Sequence, residues 1–240
     1  KTVENTYRDV NIAFANEMAL VCESLGVDVF EVRELVNARP DRHMHVPGAG
    51  VGGHCLPKDP WLLNHGVNSY GYKVAKSELL AAARRINDSM PLHMAELVQE
   101  ALAEAGQPLT GARLAVLGVA YLENSDDTRN SPALPLIQAL RDSGAIVIAH
   151  DPYVRREDFD ALGLAITPGG NALAYTQDLT QALQDADCAV IVTKHRGYLG
   201  PELLQSAQAM SMRILVDGRG CIEEQACAGA GITYYGLGRR

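Results

Sequence analysis

The run Arg113-Leu114-Ala115-Val116-Leu117-Gly118-Val119 decides the fold of the second half of the chain. It is an apolar run of strand length that ends at a glycine turn. Similar runs and intervening helical segments follow: the runs span 146–150, 188–193, 213–216 and 232–235, and the segments span 131–143, 178–186 and 200–209. Strands that alternate with helices favour a parallel sheet, so we predict a Rossmann-like, doubly wound α/β domain.

The first half of the chain has the spacing of helices. Apolar residues recur with a helical period over Thr2–Leu25, Gly26 follows as a C-cap, and Asp28 caps a second, short helix. A long helix is predicted from after Tyr72 to Ala105, with a kink at Pro91. The segment 106–111 reads as a linker. The prediction is an all-α domain over 1–106 and a Rossmann-like domain over 107–240.

Composition excludes several classes of protein. A formal net charge of -8 and a pI near 5.3 argue against a nucleic-acid surface. No apolar run approaches a membrane span, and no signal-peptide pattern opens the chain. Five cysteines without framework spacing indicate a reducing cytoplasm. The chain begins at Lys1 inside a helical pattern, and we expect it to be the back part of a longer protein.

The segment from Val46 to Pro60 is the most informative for chemistry. It places Cys55 at the end of a glycine-rich loop, with Lys58 and Asp59 just beyond it. A thiol near a cation and a carboxylate suits covalent catalysis. The glycines also satisfy G-x-G-x-x-G, but a dinucleotide fingerprint needs a strand before it and a helix within it. Prolines flank this loop on both sides, so we reject that interpretation.

Other interpretations of the loop are weaker. A free cysteine is more often a small buried hydrophobe, and the remaining four cysteines fit that role. His43, His45, His54 and Cys55 match no structural zinc spacing, so no metal site is predicted. A hydrolase that pairs a cysteine with a histidine is a distant alternative, because adjacent residues seldom face one reacting atom.

Polar residues elsewhere add to the candidate site. Lys1 and Asn5 share one face of the first helix and together suit an oxyanion, although a solvated helix end is the simpler interpretation. Asp59 is an N-cap of the helix through Trp61, a catalytic carboxylate, or both. Arg129 and Arg219 follow predicted strand ends, where such folds bind phosphates, or they form surface ion pairs.

The pieces of the sequence match one family in order. They are Lys1-Thr2-Val3-Glu4-Asn5-Thr6-Tyr7, Asn16-Glu17, Pro47 to Asp59, Ala83-Arg84-Arg85-Ile86-Asn87-Asp88, Leu117-Gly118-Val119-Ala120-Tyr121, Asp127-Thr128-Arg129, His150-Asp151-Pro152-Tyr153 and Asp217-Gly218-Arg219. The chain resembles the UDP-glucose/GDP-mannose dehydrogenase family, whose members oxidise a sugar C6 alcohol to a carboxylate with two NAD+. The histidine before Cys55 resembles the branch acting on UDP-N-acetylhexosamines such as UDP-N-acetylmannosamine or UDP-N-acetylglucosamine.

The resemblance implies a three-part protein of which this chain covers two parts. The family has an N-terminal NAD-binding domain, a central helical domain that forms a homodimer, and a C-terminal UDP-binding domain. The resemblance therefore implies that the NAD-binding domain is missing, and that this fragment alone is inactive. A non-catalytic module that binds a nucleotide sugar or dimerises is the alternative from another class.

The resemblance also assigns roles by position. Cys55 would be the nucleophile that forms a thiohemiacetal and then a thioester, Lys1 and Asn5 would stabilise oxyanions, and Asp59 would orient water. Lys58 and Arg129 would contact NAD phosphates. The positions implied to bind the UDP-sugar are Val46, Gly48, Gly50, Gly52, Tyr121 and Arg219.

Two departures from the family pattern concern the substrate. Leu122 stands where UDP-glucose enzymes have a lysine, which points to a different sugar. The family also uses an arginine that reaches the partner subunit's substrate. Counting back from Cys55 selects Arg39, whereas the local Pro-Asp-Arg pattern selects Arg42, which we favour slightly.

Overall fold

The computed structural model describes residues 1–71, 77–163 and 173–239. Helices fill the first part and alternate with strands in the second. The helices of the first part are α1 (Thr2–Leu25), α2 (Val29–Asn37), α3 (Asp59–Tyr70) and α4 (Glu78–Glu104). None of the helices among the described residues combines the length and the hydropathy that crossing a membrane requires.

The second part is a six-stranded sheet, counted over the described residues, with parallel neighbours in the order β3-β2-β1-β4-β5-β6. Its strands are β1 (Arg113–Leu117), β2 (Ile146–His150), β3 (Ala174–Thr176), β4 (Cys188–Ile191), β5 (Ile214–Asp217) and β6 (Thr233–Gly236). The helices between them are α5 (Ala133–Asp142), α6 (Arg156–Asp160), α7 (Leu179–Leu183), α8 (Arg196–Leu199), α9 (Pro201–Ala209) and α10 (Glu224–Gly229). The strand order reverses between β1 and β4, which is where such sheets open a crevice.

The predicted α/β architecture is confirmed, and so are most of its elements. Helix α1 has the predicted bounds, Gly26 ends it in a left-handed conformation, and the Asp28 side chain accepts from the Phe30 amide at 2.7 Å. The five predicted strands are present, each shifted by two residues at most. The predicted start of the long helix after Tyr72 falls in 72–76, outside the described residues, and α4 runs on through Pro91.

Three expectations are corrected. The sequence missed β3, which has only three residues, and the short helices α6, α8 and α10. Asp59 is not an N-cap, because α3 begins at Asp59 itself and Lys58 occupies the cap position. Cys221 lies in the turn after β5, not in a helix or strand.

One hydrophobic core crosses the division at residue 106. Met90, Met94 and Leu97 of α4 pack in the same buried cluster as Leu114 and Val116 of β1. The two parts therefore hold each other in fixed positions, and a cavity between them has walls from both. The division into domains over 1–106 and 107–240 remains our proposal.

A polar cluster also joins the two parts. The buried Glu23 on α1 accepts a hydrogen bond from the Gly238 amide at 2.7 Å, and its other oxygen lies 2.8 Å from His93 Nε2 on α4. Glu96 lies on the other side of the His93 ring at 3.4 Å. Burial by itself lowers the pKa of His93, but the two carboxylates outweigh it and raise the pKa above its usual value.

His93 is expected to make stability depend on pH. Because its folded pKa is raised, its contribution is fully present below the unfolded pKa and is lost as pH rises through the folded pKa. The free energy of unfolding, measured with urea between pH 5 and 8, should therefore decline near and above neutral pH. His93→Gln should remove this decline. His65→Gln, at an exposed position, should keep the decline; an identical pH profile for His93→Gln and wild type would contradict the assignment.

Candidate active site

A cavity of about 780 Å³ lies between the glycine loop and the loops that follow β1 and β5. Nine of the positions predicted from the sequence line it: Val46, Gly48, Gly50, Gly52, Cys55, Tyr121, Leu122, Arg129 and Arg219. The cavity also has walls that the sequence did not predict: Arg8 and Ile12 of α1, together with His45, Val51, Gly53, His54, Leu56, Glu123 and Asn124. The structure thus places Cys55 and the loops of the sheet around one space.

The glycines are needed because the loop packs directly against side chains of the second part. A Cβ atom on Gly48 would lie 2.5 Å from Nη1 of Arg219. A Cβ on Gly53 would lie 2.9 Å from the Tyr121 ring, and the φ of +85° at Gly53 favours glycine in any case. Any side chain at these positions would displace Arg219 or Tyr121.

The loop after β1 is joined to the glycine loop by two hydrogen bonds at Gly53. The Gly53 amide donates to the Arg129 carbonyl at 2.8 Å, and Asn130 Nδ2 donates to the Gly53 carbonyl at 2.9 Å. Both polar groups of this backbone position are thus satisfied by the sheet part. The hydrogen bond between Arg129 and Asp127 keeps the pKa of that carboxyl low and turns the guanidinium toward Asp127.

Asp151 fixes the turn that carries Tyr121 and Leu122. Its Oδ2 accepts from the amides of Val119 and Ala120, each at 2.8 Å, and lies 3.0 Å from His195 Nε2. Burial alone would raise the pKa of Asp151, but the bond from His195 and those from the backbone hold it below its usual value. The turn after β1 is therefore built around an internal anion.

This turn also bears on cofactor binding. In a dinucleotide-binding fold the amides after the first strand and a glycine fingerprint receive the pyrophosphate. Here two of those amides are taken by Asp151, and the fingerprint is absent from the sequence after β1. Among the described residues, the turn after β1 therefore offers a pyrophosphate neither the Val119 and Ala120 amides nor a glycine fingerprint.

Asp217, the last residue of β5, fixes Arg219 in the same manner. Its Oδ1 accepts from the Arg219 amide at 2.8 Å, and its Oδ2 accepts from the amides of Cys221 and Ile222. The Arg219 guanidinium crosses the cavity wall to Glu123 at 3.2 Å. The turn that carries it is fixed by the hydrogen bonds to Asp217, and its Nε has no hydrogen-bond partner within the described part of the chain.

Cys55 stands just ahead of α3 and is exposed to solvent. Its carbonyl accepts from the amides of Lys58 and Asp59, so the turn that starts the helix holds it in place. The Asp59 side chain is buried, its Oδ2 accepts from Asn5 Nδ2 at 2.6 Å, and its Oδ1 lies 3.9 Å from Lys58 Nζ. An amide, a carboxylate and an ammonium group thus meet at the start of α3, next to the turn that carries Cys55.

The other four cysteines are less exposed than Cys55. Cys22, Cys188 and Cys227 are buried, and Cys221 is half-buried. Burial raises the pKa of each thiol, to about 11 for Cys227. Exposure is one requirement for a reactive thiol, and Cys55 is the exposed cysteine of the five.

Six predicted residues lie apart from the cavity wall: Asn5, Lys58 and Asp59, described above, and Lys1, Arg39 and Arg42. Lys1 is exposed and pairs with Glu4 at 3.3 Å. Arg39 and Arg42 are also exposed, and both face Asp41. The structure therefore does not choose between the two arginines. Among the described residues, no group of three or more His, Cys, Asp or Glu side chains is placed to hold a metal.

Two family profiles match the chain on either side of this cavity. The central domain of the UDP-glucose/GDP-mannose dehydrogenase family matches residues 1–89, and the UDP-binding domain of the same family matches residues 115–224. The chain belongs to this family. Cys55 and its glycine loop come from the central domain, whereas Tyr121, Arg129 and Arg219 come from the UDP-binding domain.

Relatives within the family differ in the sugar that their names give. A UDP-N-acetyl-D-mannosamine dehydrogenase of Pyrococcus horikoshii is 41% identical over 100% of this chain and 51% of its own length. The crystal structure of an NDP-N-acetyl-D-galactosaminuronic acid dehydrogenase from Methanosarcina mazei Go1 has a TM-score of 0.87 at 35% identity, over 100% of this chain and 50% of that one. A UDP-glucose dehydrogenase structure from Pyrobaculum islandicum has a TM-score of 0.80 at 28% identity, over 100% and 50%. The chain spans about half the length of these relatives.

Proposed function

We propose that this chain is the catalytic and UDP-binding portion of an NAD-dependent nucleotide-sugar 6-dehydrogenase. The proposed reaction oxidises the C6 alcohol of a UDP-hexose or UDP-N-acetylhexosamine to a carboxylate. The observation that carries the proposal is the shared cavity, in which Cys55 of the central domain faces Tyr121 and Arg219 of the UDP-binding domain. Its volume of about 780 Å³ lies in the range of small-molecule sites.

The proposed binding mode follows from the cavity wall. Arg219, whose backbone is fixed by Asp217, supplies a cation for the diphosphate, and the Tyr121 ring supplies a flat apolar surface. Arg8 adds a second cation from α1 that the sequence did not predict as a ligand. The glycine positions let the ligand approach the backbone, and Leu122 leaves an apolar wall where a UDP-glucose enzyme has a lysine.

Cys55 is proposed to trap the aldehyde intermediate. Its thiolate adds to the C6 carbonyl carbon and the oxygen takes up a proton, which gives a thiohemiacetal. Oxidation removes the C6 hydrogen with its electron pair and the hydroxyl proton, leaving a thioester. Water attacks the thioester carbon, the carbon–sulfur bond breaks, and the carboxylate and the thiol are released. NAD, when bound, accepts the hydride of each oxidation.

Asn5, Asp59 and Lys1 are proposed to serve these steps. The bond from Asn5 holds the Asp59 carboxylate, which can then orient the attacking water. Asn5 keeps a second N–H for an oxyanion, and Lys1 can turn from Glu4 toward the same charge.

NAD binding is proposed to depend on a further part of the complete enzyme. The Val119 and Ala120 amides after β1 are already bonded to Asp151. This chain is therefore proposed to contribute two cations, Lys58 and Arg129, to binding of the NAD phosphates. Both side chains are substantially exposed, and each is paired with the neighbouring carboxylate of Asp59 or Asp127. A bound phosphate would compete with these carboxylates for the two cations.

A second copy of this chain is the proposed partner. Val3, Tyr7, Phe14, Val21 and Leu25 are exposed and form one stripe along α1, since helical geometry puts their spacing on one face. A homodimer through this stripe would cover it and could bring Arg42 or Arg39 to the partner's site. Sedimentation equilibrium should give twice the chain mass of 25.8 kDa, and the monomer mass would contradict the dimer.

A cytoplasmic location is proposed as well. All five cysteines are free thiols, including the exposed Cys55. The chemistry needs that thiol reduced, which a reducing compartment ensures.

The site is tested by adding one methyl group. Gly48→Ala places a Cβ against Arg219, so we expect calorimetry to show a UDP-N-acetylmannosamine dissociation constant about tenfold above that of wild type, or about 1.4 kcal/mol. Gly66→Ala is the matched control, because a Cβ there meets no atom of the described residues within 4 Å, and its affinity should be unchanged. Absence of binding by wild type, or equal affinity of the two variants, would contradict the proposal.

A further inference from the structure

A chain of buried polar side chains leads from the interface of α1 and α4 to the glycine loop. Arg84 Nη1 donates to Asp9 Oδ1 at 2.6 Å, and Asn87 Nδ2 donates to the same oxygen at 2.9 Å. Asn16 Nδ2 donates to Asn87 Oδ1 at 2.9 Å, and Asn16 Oδ1 accepts from the Gly48 amide at 2.9 Å. The four side chains are at most 1% exposed.

The two asparagines are arranged head to tail. Each points its NH₂ group toward the Asp9 end and its carbonyl oxygen toward the loop. Turning either amide would set two donors or two acceptors against each other, so the network permits one orientation. Hydrogen bonds in such a chain polarise one another in a buried setting. The position of the Gly48 amide is therefore tied to α4, although Gly48 itself contacts α1.

Joining the two helices does not require the whole chain of bonds. The pair of Arg84 and Asp9 already links α4 to α1, and a buried ion pair of this type favours one arrangement more than it adds stability. Asn16 and Asn87 extend the link to a backbone amide of the cavity wall. Helix packing alone does not account for the hydrogen bond from the Gly48 amide to Asn16.

Gly48 lies directly against Arg219, and both residues line the cavity. The Arg219 guanidinium passes so close that a Cβ on Gly48 would lie 2.5 Å from Nη1. We propose that Asn16 and Asn87 are positioning residues, which hold the Gly48 backbone at the separation from Arg219 that a UDP-sugar requires. The inference rests on the proposed function, and it adds to the site two residues that do not line the cavity.

The test replaces Asn16 by an apolar side chain of similar size. Asn16→Leu removes the acceptor of the Gly48 amide, so we expect the dissociation constant for UDP-N-acetylmannosamine to rise about tenfold. Amide hydrogen exchange at Gly48 should also become at least tenfold faster. Leu102→Ala, which removes buried volume near the far end of α4, is the control for lost stability. It should unfold more easily while its affinity and its Gly48 exchange stay like wild type.

The outcomes separate this inference from the proposed function. Binding by wild type with equal affinity for Asn16→Leu would overturn the inference alone, as would equal weakening by Leu102→Ala. No binding by wild type would overturn both. If Asn16→Leu fails to fold, exchange of the wild-type Gly48 amide decides: slow exchange that UDP-N-acetylmannosamine slows further supports the inference, and exchange as fast as at an exposed amide overturns it.

Discussion

Cys55→Ser should reduce uronic-acid formation by about 10³-fold or more in an enzyme that joins this chain to an NAD-binding domain. A serine hydroxyl is a far weaker nucleophile than a thiolate, so the aldehyde would not be captured and no thioester would form. Because Cys55 is exposed on the cavity and its side chain has no hydrogen-bond partner among the described residues, the exchange leaves the fold intact.

The measurement is product analysis by mass spectrometry together with NADH absorbance. Cys22→Ala is the control, since Cys22 is buried in α1 and does not line the cavity. Cys22→Ala should turn over the UDP-sugar at the wild-type rate, although it should be modestly less stable to unfolding. Binding of the UDP-sugar should be nearly the same for Cys55→Ser and wild type, which separates loss of chemistry from loss of the site. Undiminished acid formation by Cys55→Ser would overturn the covalent mechanism.

Arg84→Met should lower the free energy of unfolding by about 3–5 kcal/mol, the usual cost of leaving one partner of a buried pair alone. Arg84 is 1% exposed and Asp9 is fully buried. Burial raises the pKa of Asp9 even with Arg84 in place, and Asp9 Oδ2 finds no hydrogen-bond partner among residues 1–71, 77–163 and 173–239. Without the guanidinium, the carboxylate must take up a proton or remain as an isolated charge.

Two further variants complete this experiment in urea unfolding. Arg85→Met, at the exposed neighbouring position, should change the free energy by no more than about 0.5 kcal/mol. The double variant Asp9→Leu with Arg84→Met should recover much of the loss, because no charge is then buried. A loss below about 1 kcal/mol for Arg84→Met would show that the pair does not hold α1 against α4.

The fold could be predicted where apolar residues follow a clear period. Helix α1 was predicted with its bounds because its apolar residues recur at helical spacing and Gly26 ends it, although Phe14, Val21 and Leu25 of that pattern are exposed. The strands on either side of the switch point stand out because β4 is apolar and buried throughout and β1 is apolar and buried after Arg113. Strand β3 has three residues, Ala174–Thr176, too few for a period to be visible.

The site could be predicted only in part, because its supports are long-range. Cys55 and its glycines are local features of the sequence, whereas the bond of Asn16 to Asn87 joins residues 71 positions apart. The bond from Ala120 to Asp151 likewise spans 31 positions. Arg8 and Ile12 could have been found, since they follow Asn5 at three and seven positions and so lie on the same face of α1.

The most direct test joins this chain to an NAD-binding domain of the family and follows NADH during exhaustive conversion of a limiting UDP-sugar. A panel of UDP- and GDP-sugars identifies the substrate, with UDP-N-acetylmannosamine as the first choice. The account predicts two NADH per sugar converted and a uronic acid as the product. No NADH with any sugar of the panel, while the chain still binds them, would favour a non-catalytic binding module and contradict the account.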